Sequence, residues 1–425
     1  MLNVFQIERL CIAVYLDVLV TQTAQNKSLG EIMSYMTDEG FNKKEQLPVL
    51  MTRTEWEETA ESITRDSELA GLRIIKSIDN KTTGHRAFCF SDGRGTAYVV
   101  FRGTSGDAEW LDNGLGMLVA ETPAQKAALK FAAECRELPR VKYLIVAGHS
   151  KGGNKAQYCA VAGINIADKC ISVDGQGFSR LFFNKYGDII EKGIPKIIAV
   201  SERRDFVNCL GFYLQKPEYY TGFRGGISGE FPHGQPLPYF HCPDALRSDT
   251  GEAGKTAPVS HISEAVNHFV TYYLTEAKYD SKREDTVMGL VSLMTAGRGG
   301  KAGINAAVEA ALAFFELCSR DKGFRKELHE VLLYEKNVIA ATTHMIKENR
   351  GRSGELSERV MKRFAQRLMR NPRHFRLFVR NAERFVRFVQ TTREIREYAA
   401  SINYFIKGVF RHFEQLKVKG KQDVR

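Results

Sequence analysis

The segment VKYLIVAGHSKGGNK, at residues 141–155, constrains the fold of this chain more than any other part of the sequence. It places Gly148, Ser150 and Gly152 in a G-x-S-x-G motif directly after an apolar run. Such a motif is typical of a sharp strand-to-helix turn, because glycines on both sides of the serine let the backbone crowd while the hydroxyl stays accessible. We therefore predict that Ser150 is a nucleophile. The alternative is a glycine-rich turn whose serine only caps the next helix.

The first 275 residues predict an α/β fold. Short apolar stretches that favour strands lie at 72–78, 86–90, 97–101, 143–147, 170–173 and 196–200. Helices are predicted between the later strands, at 124–138, 153–164 and 179–192. This alternation of strands and helices implies a largely parallel sheet, with catalytic groups at the edge where the strands end.

Positive charge is concentrated at the end of the chain. The net charge is +11, but residues 351–425 hold 19 Lys or Arg against 7 Asp or Glu, so this tail is +12 and the rest is −1. Polar residues and glycines at 348–355 mark a boundary. We predict an α/β domain at 1–345, which includes packed helices at 285–345, and a basic amphipathic helical extension at 351–425.

Within this tail, aromatic and basic residues both recur at helical spacing. The apolar stripe is Phe375, Phe378, Ala382, Phe385 and Val389, and the basic stripe is Arg373, Arg376, Arg380, Arg384 and Arg387. A basic amphipathic helix can lie on an anionic membrane surface, whereas a bundle helix with a buried aromatic face has the same pattern. Both interpretations stay open, and nucleic acid is the less favoured partner.

Other features argue against a disulfide scaffold, a membrane span or a bound cofactor. The eight cysteines form no C-x-x-C pair, which predicts reduced thiols in a cytoplasmic protein. If the basic tail lies on a membrane surface, the protein is peripheral there. Asp17 interrupts the apolar stretch at 10–20, which we interpret as a core helix. The segment TAGRGGKAG, at 295–303, lacks the Ser or Thr that follows the lysine of a phosphate loop. We predict no nucleotide, metal or other cofactor.

Three motifs together resemble a known family: VFRGT at 100–104, WLDN at 110–113 and GHSKGGN at 148–154. The combination resembles the α/β-hydrolase core of class 3 lipases, and is most similar to a bacterial lipase-like branch of them. The resemblance covers residues 10–340 and is strongest at 97–205. It implies a serine acyl hydrolase, namely a lipase, phospholipase or carboxylesterase, with an acyl-ester or lipid substrate. The alternative is a catalytically inactive hydrolase fold that serves as a binding or scaffold protein through its helical tail.

Acyl transfer requires donors for the negative oxygen that forms when Ser150 attacks a carbonyl. The N–H that follows the nucleophile belongs to Lys151. The resemblance implies that Thr104, the last residue of FRGT, supplies the second donor. We expect the side chain of Lys151 to point to solvent.

The acid of a catalytic triad should follow Ser150 in the chain and lie at the end of a strand. Asp174 and Asp205 both satisfy these conditions. The match to the family favours Asp205, and Asp174 stays the alternative.

The base should be a histidine after the acid. We predict His261, because it lies in a loop entering a helix, where the resemblance implies the catalytic histidine. His268 is the alternative. His233 and His241 lie on a Pro/Gly-rich loop that could cover the site, and His149 is interpreted as structural.

Overall fold

The computed structural model describes residues 1–21, 27–38, 51–222, 236–247, 253–275, 283–295, 301–348, 353–370, 375–380, 382–383 and 399–422. The chain divides into two compact units. The sheet unit comprises Met1–Glu230 and Leu237–Ser263, and the helical unit comprises Phe231–Pro236 and Glu264–Arg425.

An eight-stranded sheet forms the centre of the sheet unit. Its strands are β1 (Arg73–Asp79), β2 (Arg86–Ser91), β3 (Thr96–Phe101), β4 (Tyr143–His149), β5 (Lys169–Val173), β6 (Ile197–Glu202), β7 (Glu218–Thr221) and β8 (Lys255–Thr256). They lie side by side in chain order, with β3 to β7 parallel and the pairs β1–β2, β2–β3 and β7–β8 antiparallel. The predicted α/β fold with a largely parallel sheet is confirmed.

Helices cover both faces of this sheet. They are α1 (Val4–Ala13), α2 (Leu29–Asp38), α3 (Arg53–Arg65), α4 (Ser67–Ala70), α5 (Asp107–Gly116), α6 (Pro123–Arg136), α7 (Lys151–Ala162) and α8 (Arg180–Gly193). Successive side chains of a strand point to opposite faces. In β3, Tyr98 and Val100 therefore join one apolar cluster with α1, α2 and α3, whereas Val99 and Phe101 join a second with α6, α7 and α8.

The apolar stretch at 10–20 is only partly helical. Helix α1 ends at Ala13, and Asp17–Val20 forms a short 3-10 helix. Leu10, Val14 and Leu16 are nonetheless buried, so the stretch belongs to the core as predicted. No helix among the described residues has the length and apolar character needed to cross a membrane. All eight cysteines are free thiols, and all but Cys318 are buried.

The remaining helices are α9 (His261–Thr275), α10 (Arg283–Thr295), α11 (Lys301–Arg320), α12 (Lys322–Tyr334), α13 (Lys336–Glu348), α14 (Ser353–Met369) and α15 (Ala399–Gln422). Here the structure differs from the predicted division at 345–351. Val308 and Leu312 of α11 share one apolar core with Phe364 of α14 and Val409 of α15. Helices on both sides of the predicted boundary therefore form a single unit, because a shared apolar face outweighs a change in charge along the chain.

The described part of the aromatic stripe lies in the same core. Phe378 and Ala382 are buried, and Phe375 stacks on Phe413 with ring centroids 4.3 Å apart. Arg376 and Arg380 are exposed. The other members of the two stripes, Arg373, Arg384, Phe385, Arg387 and Val389, lie outside the described residues. The described aromatic side chains are thus buried in a helical bundle, which is one of the two interpretations of the sequence pattern.

Deleting residues 351–425 should make the protein aggregate, because the apolar side of α11 would lose its partners on α14 and α15. Size-exclusion chromatography and thermal unfolding followed by circular dichroism would measure this. The double substitution Arg376→Gln/Arg380→Gln controls for lost charge and should change the free energy of unfolding by less than about 0.5 kcal/mol. A truncated protein that elutes as one sharp species and unfolds at the wild-type temperature would contradict the shared core.

Candidate active site

A strained turn between β4 and α7 holds Ser150. Its backbone lies in the left-handed region, with φ 58° and ψ −123°. A Cβ added to Gly148 would lie 2.3 Å from the carbonyl carbon of Gly152, and one added to Gly152 would lie 2.1 Å from the carbonyl oxygen of Phe101. Neither position can carry a side chain, which explains the spacing of the motif. The turn has the strand–serine–helix form predicted from the sequence.

Three polar side chains form a continuous hydrogen-bonded row from this turn. His241 Nε2 lies 2.8 Å from Ser150 Oγ, and His241 Nδ1 lies 2.7 Å from Asp205 Oδ1. Asp205 is fully buried, and the side chain of His241 is 16% exposed. The row has the order hydroxyl, imidazole and carboxylate, which is the arrangement that activates a serine.

Asp205 lies after the end of β6, at the edge of the sheet where its carboxylate is fixed by the backbone. Val207 N–H donates to Oδ1 over 3.1 Å, and Asn208 N–H donates to Oδ2 over 2.8 Å. These two donors from the following turn fix the orientation of the Asp205 carboxylate. Its Oδ1 is thereby directed at His241. The sequence-based preference for Asp205 over Asp174 agrees with this contact.

The structure corrects the predicted histidine: His241, and not His261, contacts Ser150. His241 is the last residue of a 3-10 helix, Leu237–His241, which brings the chain between β7 and β8 to the nucleophile. His261 is the first residue of α9. The start of α9 does lie beside the acid, since Ser263 Oγ donates to the Asp205 carbonyl over 2.9 Å. The predicted helix start therefore lies near the site, but the side chain that contacts Asp205 from this helix is that of Ser263.

The alternative histidine, His268, has acidic partners of its own in the helical unit. Its Nδ1 lies 3.0 Å from Glu327 Oε2, and its Nε2 lies 3.5 Å from Asp321 Oδ2. Its ring also packs edge-on against Phe324, with centroids 5.3 Å apart. His233 lies outside the described residues.

A second histidine packs against the ring of His241. The ring centroids of His149 and His241 are 4.7 Å apart, and His149 Nδ1 lies 3.0 Å from the hydroxyl of Tyr15. Burial holds the pKa of His149 well below its usual range, so its ring is neutral. The sequence predicts a structural role for His149, and no motif in it indicates Tyr15. The support that both give to His241 becomes visible only in the folded chain.

The two predicted oxyanion donors lie on either side of the nucleophile. A Cβ added to Gly103 would lie 3.2 Å from Ser150 Cβ, so the FRGT loop passes directly beside the serine. Among the described residues, the backbone N–H groups of Thr104 and Lys151 have no acceptor. The hydroxyl oxygen of Thr104 accepts a hydrogen bond of 2.8 Å from Asn113 Nδ2. This contact ties the side chain of Thr104 to α5.

The side chain of Lys151 is buried, which contradicts the expectation that it points to solvent. Its Nζ lies 2.6 Å from Asp112 Oδ2. Lys155, one turn further along α7, is equally buried and lies 2.6 Å from Glu109 Oε1. Both acids belong to α5, and a buried ammonium requires such partners because isolation from water is costly.

Asp174, the alternative acid, is occupied elsewhere. Its Oδ1 accepts hydrogen bonds from Ser201 Oγ (2.5 Å) and from the N–H of Glu202 (2.9 Å). Burial, reinforced by the nearby charge of Asp205, raises the pKa of Asp174 well above its usual value. Asp174 is therefore held by Ser201 and Glu202 at the end of β5, whereas Asp205 contacts His241 directly.

Glu202 provides a test of this buried acidic environment by pH. Burial raises its pKa to about 8, compared with 4.5 in an unfolded chain. The folded state therefore holds a proton that the unfolded state releases, so stability falls as pH rises from about 4.5 to about 8. Relative to Glu202→Gln, the wild type should lose about 3–5 kcal/mol over this range and then level off.

Urea unfolding of both proteins at pH 5, 7 and 9 would measure this difference. Glu191→Gln, on the exposed surface of α8, controls for the loss of one carboxylate. A free-energy difference between wild type and Glu202→Gln that stays constant with pH would contradict the assignment.

The described residues contain no group of three or more His, Cys, Asp or Glu arranged to hold a metal ion.

Comparison with known proteins gives one family match. Residues 63–202, less than half of the chain, match the family model described as Mbeg1-like. No curated protein matches. A fungal lipase–inhibitor complex is 17% identical with a TM-score of 0.34, covering 51% of this chain and 78% of that chain. Rhizomucor miehei triacylglyceride lipase is 16% identical with a TM-score of 0.32 and the same coverage.

These structural likenesses are too low to support a functional argument. The family match is informative in where it falls. It contains Thr104 and Ser150 and ends before Asp205 and His241. The chain is thus similar to the Mbeg1-like family over the part that carries the FRGT loop and the turn at Ser150.

Proposed function

We propose that this protein is a serine acyl hydrolase that acts on carboxylic esters, as a lipase, phospholipase or carboxylesterase. The observation that carries the proposal is the row of contacts from Ser150 through His241 to Asp205, with distances of 2.8 and 2.7 Å. A buried carboxylate, an imidazole and a serine at a strained strand-to-helix turn form the constellation that makes a hydroxyl nucleophilic at neutral pH.

In this mechanism His241 Nε2 takes the proton of Ser150 as Oγ bonds to the carbonyl carbon of the ester. The imidazolium is stabilised by Asp205, and His241 then gives the proton to the departing alcohol as the ester C–O bond breaks. An acyl group remains on Ser150. Water attacks this acyl-enzyme with His241 again accepting a proton, which releases the carboxylic acid and restores the serine.

Backbone N–H groups on the two sides of the turn stabilise the oxyanion in this mechanism. The N–H groups of Lys151 and Thr104 provide two donors that need no reorganisation. Because Asn113 already donates to the hydroxyl oxygen of Thr104, the hydroxyl hydrogen of Thr104 is directed elsewhere and can serve as a third donor.

A panel of soluble p-nitrophenyl esters with acyl chains from acetate to palmitate tests the proposal. We expect hydrolysis of at least one ester that is lost in Ser150→Ala. If wild-type protein hydrolyses no ester and does not react with a fluorophosphonate, the alternative of a catalytically inactive binding or scaffold protein is favoured.

We further propose that the basic tail, residues 351–425, contacts an anionic membrane surface. Because the described aromatic side chains are in the core, the contact would be made by exposed arginines such as Arg376 and Arg380. Binding should therefore be electrostatic and weaken as salt rises from 50 to 300 mM, since screening shortens the range of these charges.

Sedimentation with phosphatidylserine-containing vesicles would measure this binding, with phosphatidylcholine vesicles as the control. Arg376→Gln/Arg380→Gln should weaken binding about 30-fold, at about 1 kcal/mol for each charge near the surface. Binding to RNA and not to vesicles would favour nucleic acid as the partner.

A further inference from the structure

Lys151 connects to the oxyanion site in two ways. Its backbone N–H is one proposed donor, while its side chain runs in the opposite direction into the protein, where it is fully buried. A lysine without exposed surface beside a nucleophile is unusual, because removing an ammonium from water is costly unless a partner compensates. The partner is Asp112 on α5.

Asp112 is fixed at both oxygens. Its Oδ2 accepts hydrogen bonds from Lys151 Nζ (2.6 Å) and Thr122 Oγ1 (2.7 Å), and its Oδ1 accepts one from Ala124 N–H (3.1 Å). Lys151 Nζ also donates to the carbonyl oxygen of Asp112 over 3.2 Å. The ammonium thus binds both the side chain and the backbone of one residue of α5, and it has little freedom to move.

The next residue of α5 reaches the other half of the oxyanion site. Asn113 donates to the hydroxyl oxygen of Thr104 over 2.8 Å, and the Asn113 carbonyl accepts a hydrogen bond of 3.0 Å from Gln176 Nε2. A continuous path therefore runs from the backbone donor at Lys151, through its side chain to Asp112 and Asn113, and ends at Thr104.

We propose that the buried Lys151–Asp112 ion pair positions the two oxyanion donors relative to each other. The inference rests on the proposed hydrolase function. The pair locks the first turn of α7 to α5, and α5 holds Thr104. Neither charged group contacts the substrate, so Asp112 and the side chain of Lys151 act as positioning groups.

Stability alone does not require such a pair. Replacing both members of a buried ion pair by neutral groups is often neutral or stabilising, whereas removing one member leaves an uncompensated charge. A double substitution therefore separates the positioning role from a structural one. In Lys151→Met/Asp112→Asn neither charge of this pair remains, and the Asn side chain can still accept the hydrogen bond from Thr122 or Ala124.

We expect Lys151→Met/Asp112→Asn to fold and to lower kcat by about 10–100-fold with KM within about 2-fold, because a misplaced oxyanion donor weakens the transition state and not substrate binding. The matched control is Arg247→Met/Glu8→Gln, which removes a buried ion pair elsewhere in the sheet unit. The control should leave kcat unchanged. A folded Lys151→Met/Asp112→Asn protein with wild-type kcat would overturn the inference.

A double-mutant cycle distinguishes one path from two independent effects. If Lys151 acts through Asn113, adding Asn113→Ala to Lys151→Met/Asp112→Asn should lower kcat little further. Losses that multiply would contradict a common path. Wild type and Ser150→Ala are measured alongside. Turnover that does not depend on Ser150 would reject the proposed function itself, whereas Ser150-dependent turnover with an unchanged kcat in the pair variant rejects only the positioning role.

Discussion

Replacing Ser150 with alanine should lower kcat for a hydrolysed ester by about 10⁴–10⁶-fold, because no other group at the site can form the acyl-enzyme. The fold should persist. Alanine at φ 58° experiences the same backbone strain as serine, and the loss is one hydrogen bond to His241. Initial rates on the best ester of the panel, together with thermal unfolding, would measure both effects.

The control for this substitution is Ser77→Ala, on the exposed side of β1, which should retain full activity. Equal turnover by wild type and Ser150→Ala would show that hydrolysis occurs at another group. The serine mechanism would then be rejected.

The second large effect is expected at the histidine. His241→Ala should lower kcat/KM by about 10⁴-fold, whereas His261→Ala should cost less than about 10-fold, because of these two histidines it is His241 that lies within hydrogen-bond distance of Ser150 Oγ. This pair of variants separates the two histidines that the sequence and the structure favour. Rates should be compared at pH 7 and pH 8, and both variants checked by circular dichroism.

The two buried acids give a matched comparison, since Asp205 belongs to the row and Asp174 does not. Asp205→Asn should cost about 10⁴-fold in kcat, since the amide would hold the wrong tautomer of His241. Asp174→Asn preserves an acceptor for Ser201 and for Glu202 N–H and should cost far less. A larger loss in His261→Ala than in His241→Ala, or in Asp174→Asn than in Asp205→Asn, would mean that the observed row is not the catalytic one.

The turn at Ser150 could be predicted from the sequence because every determinant of its backbone geometry is local. The strand, the two crowded glycines and the helix lie within 20 residues, and the clash that excludes a side chain at Gly152 arises from β3, the neighbouring strand. The position of Asp205 near this turn could also be predicted, since parallel strands place their carboxyl ends at one edge of a sheet.

The position of His241 beside Ser150 could not be predicted in this way. His241 ends a 3-10 helix of five residues in a Pro-rich segment, where no hydrophobic period fixes the direction of a side chain. Its place depends on how the chain between β7 and β8 returns across the sheet edge. His261 had the stronger local signal, a helix start, and that helix start does reach Asp205 through Ser263.

The burial of the two lysine side chains on α7 could not be predicted from local sequence patterns either. Lys151 and Lys155 lie on a helix that is buried almost all round, and their partners Asp112 and Glu109 are about 40 residues earlier in the chain. The predicted domain boundary near residue 351 differs from the structure for a related reason. Charge changes near residue 351, but the apolar faces of α11, α14 and α15 meet across that point.

The most direct measurement is covalent labelling by a fluorophosphonate, followed by intact mass and peptide mass spectrometry. Attack of an activated serine on phosphorus displaces fluoride and leaves one adduct that mimics the tetrahedral intermediate. We predict a single adduct on Ser150, absent in Ser150→Ala and formed at least 100-fold more slowly in His241→Ala. No adduct on wild-type protein, or an adduct that persists in Ser150→Ala, would contradict an activated Ser150–His241–Asp205 site.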